Sequence, residues 1–178
     1  MQLSRIPVRV TFDQQLTTMM STLLRQARDE EAMKSLNEDM SLRRVLGYPL
    51  PSWQRGLVWT DEQSARFIES VYAGVHIGTF VYNQTVLSSP FQSLLIDGQQ
   101  RLHAIERYAA DGFAVKGQDG IARLWSELTE QEQRHFGRMP FGFSVVKHED
   151  EASLVSLYNL LNFGGVAHHE NDRASLHA

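Results

Sequence analysis

Cysteine is absent from this chain. That removes disulfides, thiolate zinc sites and thiol nucleophiles together, and it fits a reducing compartment. Lysine is scarce: Lys34, Lys116 and Lys147 are the only three. Cationic chemistry therefore falls to arginine, whose planar fork suits bidentate phosphate contacts better than diffuse binding. The formal charge is −4, so affinity from wrapping duplex phosphates is not what the composition favours, although a nucleic-acid partner stays open. Arg43-Arg44 is a local basic pair that reads most simply as a solvated face. No apolar run approaches the roughly 18 residues that span a bilayer. The start, Met1-Gln2-Leu3-Ser4-Arg5, has no hydrophobic signal core. A cytoplasmic protein with no membrane partner is the expectation.

What the chain does have is enough apolar content for one core. With 178 residues, 42% of them hydrophobic, a single domain over 1–178 is expected. It divides into a helical N-terminal segment (1–46), a core carrying the motifs (47–165) and a tail (166–178). Leu16, Met19 and Leu23, with Met20, Leu24 and Ala27, stand at helical spacing and predict an amphipathic helix over 12–28. Residues 29–39 read as a charged loop or helix end, and 41–46 as a short helix. Pro49 and Pro51 then force an extended entry into Trp53-Gln54-Arg55. Thr60 and Gln63 form a capping-box pattern ahead of the face Phe67, Ile68, Val71 and Tyr72, which Gly74 ends.

Residues 79–82 and 93–96 predict strands, 113–115 a short one, and 141–146 the last long one. Thr129 opens another helix, and Leu154, Leu157, Tyr158 and Leu161 form a clear helical stripe. The fold class is mixed α/β, with interspersed helices and a small mixed sheet.

The most informative segment is Leu94-Leu95-Ile96-Asp97-Gly98-Gln99-Gln100-Arg101-Leu102. An apolar strand that delivers a glycine turn to a helix N-terminus converges several backbone N–H groups, with the positive end of the helix dipole behind them. Asp97, Gln99, Gln100 and Arg101 add a carboxylate, two amides and a guanidinium, the groups that bind a metal, orient a water and clamp an anion. A purely structural reading stands beside this one: Asp97 as N-cap, with Gln100 completing a capping box.

This segment resembles the DGQQR-motif proteins of the ParB/sulfiredoxin-like superfamily, best known as the N-terminal domain of GmrSD-type, modification-dependent restriction systems. Three further blocks follow the same pattern in the same order. They are Pro51-Ser52-Trp53-Gln54-Arg55 with its aromatic continuation to Trp59, the helix and turn ending in Gly74-Val75-His76-Ile77-Gly78, and Leu161-Asn162-Phe163-Gly164-Gly165. His76 stands where relatives often have proline. Sulfiredoxin chemistry needs a cysteine and is excluded, and no HNH nuclease signature is present, so cleavage by such a domain is not carried over.

The resemblance implies a free-standing ParB/sulfiredoxin-like domain of prokaryotic or phage restriction or counter-restriction that binds a nucleoside triphosphate and hydrolyses it with Mg²⁺. It assigns Asp97, Gln99 and Gln100 to catalysis, with Asp97 toward Mg²⁺. It assigns Gln54, Arg55, Gly78, Gly98, Arg101, Asn162 and Gly165 to the nucleotide and its phosphates. Two alternatives stay open, a nucleotide-gated binding module without turnover and a nucleic-acid binder related to nucleases. A protein partner or second copy is also left open. Trp53 and Trp59 read either as core or as stacking surfaces beside Arg55. His168-His169-Glu170 lacks the i, i+4 facing of a helical metal site and reads as a disordered or partner-seeking tail.

Overall fold

The structure, a computed structural model, describes residues 10–34 and 43–163. Gly165 and His168-His169-Glu170 lie outside them. The central sheet has the order β1-β8-β4-β5. Its strands are β1 (Gln14–Met19), β4 (Thr79–Asn83), β5 (Leu95–Asp97) and β8 (Pro140–Val146). β8 pairs antiparallel with β1, Gln14 opposite Val145, and parallel with β4, Phe80 opposite Phe143. β5 closes the other edge antiparallel to β4, with Val81 opposite Asp97. Strand alternation sends neighbouring residues to opposite faces. Phe80 and Leu95 join one core with helices α1 (Met20–Lys34), α2 (Asp61–Tyr72), α3 (Gln99–Ala109) and α4 (Glu130–Gly137). Val81 and Ile96 face the other way, onto Leu154, Leu157 and Tyr158 of α5 (Glu151–Phe163). The sheet is thus covered on both faces, a mixed α/β arrangement.

Local signals explain the helices that position the site. Thr60 accepts from the Gln63 amide while the Gln63 side chain reaches back to the Thr60 N–H, so the capping box that starts α2 forms as expected. Thr129 and Glu132 do the same for α4.

Two expectations are overturned. Residues 14–19 are a strand, not the start of a helix: β1 pairs along its whole length with β8, and Leu16 and Met19 are about half exposed. The helix begins at Met20, and Met20, Leu23 and Leu24 are its buried residues. Of the short helix expected over 41–46, residues 41 and 42 lie outside the described residues and the rest is instead one arm of a hairpin, β2 (Arg44–Val45) and β3 (Tyr48–Pro49), turned through Leu46 and Gly47, both at positive φ. Glu106 of α3 fixes that turn by accepting from the Leu46 N–H at 3.1 Å. Arg44 donates to the Gly47 carbonyl at 2.9 Å, and Arg43 reaches the Gln54 carbonyl at 3.4 Å. A second small hairpin, β6 (Val115–Lys116) and β7 (Ala122–Arg123), precedes α4. Among the described residues, no helix is long and apolar enough to cross a membrane.

Candidate functional site

β5 ends at Asp97, Gly98 makes the turn, and α3 begins at Gln99. Gly98 sits at φ 97°, and a Cβ there would lie 2.5 Å from the Phe80 Cβ, so both conformation and space demand glycine. The helical ladder starts with the Leu102 N–H donating to the Gly98 carbonyl at 3.0 Å. The amides of Gln99, Gln100 and Arg101 therefore precede it, and no side chain at Gly98 caps them. This corrects the capping-box expectation. Gly98 is the N-cap, and Asp97 is the last residue of β5.

The three glutamines turn out to be straps between distant segments. Gln100 Oε1 accepts from the Val58 and Trp59 N–H groups (3.0 and 3.2 Å), and its Nε2 donates to the Gly56 carbonyl at 2.9 Å. Gln99 Nε2 donates to the Arg55 carbonyl at 3.1 Å. Gln54 Nε2 donates to the Leu95 and Ile96 carbonyls at 2.5 and 3.1 Å. Together they bind the 54–59 loop to β5 and to the first turn of α3. Each is more than nine-tenths buried, where backbone groups left without partners would be costly. Both polar atoms of the Gln100 amide are consumed by this bracing. Gln54 Oε1 and Gln99 Oε1, by contrast, are buried with no hydrogen-bond partner among the described residues.

Arg101 donates from Nη2 to Asp97 Oδ2 at 2.8 Å and from Nη1 to the Ile77 carbonyl at 3.0 Å. The pair is one helical turn long and partly buried, with side-chain exposures of 20% for Arg101 and 28% for Asp97. Gly78 leaves room for this guanidinium, since a Cβ there would collide with Arg101 Nη1. Gly78 thus serves the site through Arg101. Arg55 is exposed, and its guanidinium has no hydrogen-bonded or ion-paired partner among the described residues.

A cavity of about 90 Å³ opens between these groups, lined among others by Gln54, Arg55, Asp97, Gly98, Arg101 and Asn162. Trp59 and Tyr158 also line it. Tyr158, expected only as part of a core stripe, packs edge-on against Trp53 at 5.2 Å. Asn162 donates to the Tyr158 carbonyl at 3.0 Å, an ordinary i, i−4 contact. Sequence blocks more than 60 residues apart thus meet at one recess, and with Gly78 behind Arg101 every predicted site residue except Gly165 is placed at or beside it.

The charge available is that of Arg55, a neutralising Arg101–Asp97 pair and the positive end of α3. Among the described residues there is no group of three or more His, Cys, Asp or Glu side chains that could hold a metal ion. Asp97 is a single carboxylate already engaged by Arg101. The donor set fits a Mg²⁺ ion that arrives on phosphate oxygens, and not one caged by protein ligands alone.

A family model described as the N-terminal domain of the GmrSD restriction endonuclease matches residues 33–172. Comparison with curated proteins and with solved structures returned no match.

Proposed function

Because this chain belongs to the GmrSD restriction endonuclease N-terminal-domain family, we propose that the recess at the start of α3 binds the terminal phosphate of a nucleoside triphosphate and hydrolyses it. One observation carries the reading: Gln99, Gln100 and Arg101, whose backbone amides precede the α3 ladder, a glycine turn that admits nothing larger, and Arg55, whose guanidinium has no partner among the described residues, all line the same small cavity. Helix N-termini of this kind bind phosphate through their N–H groups and dipole. At about 90 Å³ the space is well below the roughly 300–1,000 Å³ of pockets that enclose whole small molecules. It suits one phosphate and leaves the nucleoside outside.

In this scheme Arg55 and the amides of Gln99, Gln100 and Arg101 hold the phosphate, while Gln100 and Gln54 hold the loop that carries Arg55. Gln99 is the residue for the attacking water, because its Oε1 is the acceptor still lacking a donor, whereas Gln100 has none to spare. The water oxygen forms the new bond to phosphorus as the bridging P–O bond breaks, the bond pair stays on the bridging oxygen of the nucleoside diphosphate, and both water protons leave with the released phosphate as dihydrogen phosphate. Such a reaction asks for position and charge more than covalent chemistry. Mg²⁺, when bound with the nucleotide, would neutralise the phosphate oxygens, with Asp97 as the carboxylate nearest to it.

The Asp97–Arg101 pair favours a second reading. A carboxylate and a guanidinium that satisfy each other suit a module that binds nucleotide and turns over little. Phosphate release from each of the four NTPs with Mg²⁺, followed for the parent and for Asp97→Asn, separates the two. The hydrolase reading expects Asp97→Asn to melt within about 4 °C of the parent, a loss of no more than about 1–2 kcal/mol, while release falls to background. Binding without release in the parent gives the module. No binding of any NTP to the parent removes both.

A further inference from the structure

α1 and α4 flank a groove of about 500 Å³ that shares no lining residue with the recess at α3. Arg25 and Arg28 line it from α1, and Arg134 of α4 and Arg138, its C-cap residue, line it from the other side. Arg134 pairs with Glu130 at 3.2 Å, and Glu130 is the one acidic residue in the lining among the described residues. Arg25, Arg28 and Arg138 have no hydrogen-bonded or ion-paired side-chain partner among the described residues. All four arginines are exposed. Three guanidiniums without a partner among the described residues are thus concentrated in one groove of a chain whose formal charge is −4. Trp125, half-buried against Tyr108 and Phe136, forms part of the same wall.

The spacing narrows the ligand. Arg25 and Arg28 are one turn apart on one helix, and Arg134 and Arg138 are one turn apart at the C-terminal end of the other. Side chains so placed stand about 5–6 Å apart at their Cβ atoms. Two such rows facing across a groove present a ladder of cations to an extended polyanion, with an aromatic ring beside it. That combination of a cationic track and a stacking surface is how single strands are held without sequence preference. A duplex offers its phosphates on a convex cylinder and keeps its bases from the indole. An acidic peptide would use the arginines and leave Trp125 idle.

We propose that the α1–α4 groove binds the phosphodiester backbone of single-stranded nucleic acid, at a place separate from the recess at α3. The test is fluorescence anisotropy of the full chain with a labelled 12-nucleotide dT strand, alongside a 12-base-pair duplex and a poly-glutamate of equal length. With three or four phosphates neutralised, affinity for the strand should fall roughly 20- to 50-fold between 50 and 200 mM salt. Arg138→Glu should weaken binding about tenfold or more at low salt, the scale of one lost charge-assisted contact. Glu130→Gln should tighten it, an effect of opposite sign that a misfolded variant cannot mimic. Arg55→Ala should leave it unchanged, which separates this site from the nucleotide recess whatever that recess binds. Duplex binding as tight as the strand's, poly-glutamate binding as tight as the strand's, or no strand binding at 50 mM salt would each overturn the proposal.

Discussion

The recess at α3 and the groove between α1 and α4 both depend on arginine, under opposite conditions. In the recess Arg101 is tied to Asp97 and to the Ile77 carbonyl, and Arg55 is held in place by a loop that three glutamines strap down. In the groove three of four guanidiniums have no partner among the described residues. The first arrangement gives up charge for geometry and so can select one small anion. The second keeps its charge and leaves geometry loose, as an extended and variable ligand requires. Net charge describes neither, because a chain at −4 holds both.

The sharpest way to break the comparison is through the turn on which the recess depends. Gly98→Ala adds a Cβ 2.5 Å from the Phe80 Cβ at a φ of 97°. Left-handed strain of about 1–2 kcal/mol and overpacking of about 1–3 kcal/mol together should cost about 2–5 kcal/mol in chemical denaturation. Gly56→Ala, where a Cβ meets nothing within 4 Å, should stay within about 0.5 kcal/mol. Equal costs at the two positions would mean that Gly98 is not the pivot described.

Next in size is Gln100→Ala. It removes three partly buried hydrogen bonds, to the Val58 and Trp59 N–H groups and the Gly56 carbonyl, and at about 0.5–1.5 kcal/mol net for each, with water reaching some of the freed groups, the loss should be about 1–3 kcal/mol. Arg101→Ala should fall in the same range, because Arg101 is part of the framework as well as of the site. Arg28→Ala in the groove should change stability by less than about 0.5 kcal/mol. A groove variant as destabilising as Gln100→Ala would show that its arginines also brace the fold.

These straps show where sequence reading stops. The capping boxes at Thr60 and Thr129 are local, each closing within three residues, and they are legible for that reason. The strand–glycine–helix step at 95–99 is equally local. Gln54, Gln99 and Gln100 could orient a water or brace a backbone equally well. Partners 41 to 44 residues away decide which, and no spacing rule reaches them. β1 was hidden for a related reason. Its pairing with β8 joins residues over 120 positions apart, and Leu16 and Met19 happen to continue the helical phase of Leu23. The groove likewise needs α1 and α4 to meet before its four arginines become one feature.

The smallest expected effect concerns pH. Burial, with the nearby Arg107 charge, holds the His103 imidazole on α3 below its usual value of 6.5. The folded chain therefore takes up this proton later than the unfolded chain does. The contribution is fully present above pH 6.5 and is lost as pH falls below it. His103→Gln should flatten the decline in urea midpoint between pH 7.5 and 5. The groove arginines stay charged throughout, so strand binding should show no matching inflection. An unchanged decline in His103→Gln would place the acid sensitivity elsewhere.

Isothermal calorimetry with Mg²⁺ and each NTP asks whether the start of α3 and Arg55 together form a phosphate site. The Arg55 side chain is exposed and has no partner among the described residues, so Arg55→Ala should melt as the parent does. If Arg55 contacts phosphate, the loss of about 1.5–3 kcal/mol should weaken nucleotide binding roughly 10- to 150-fold. Equal affinity in parent and Arg55→Ala, at equal melting temperature, would contradict the account.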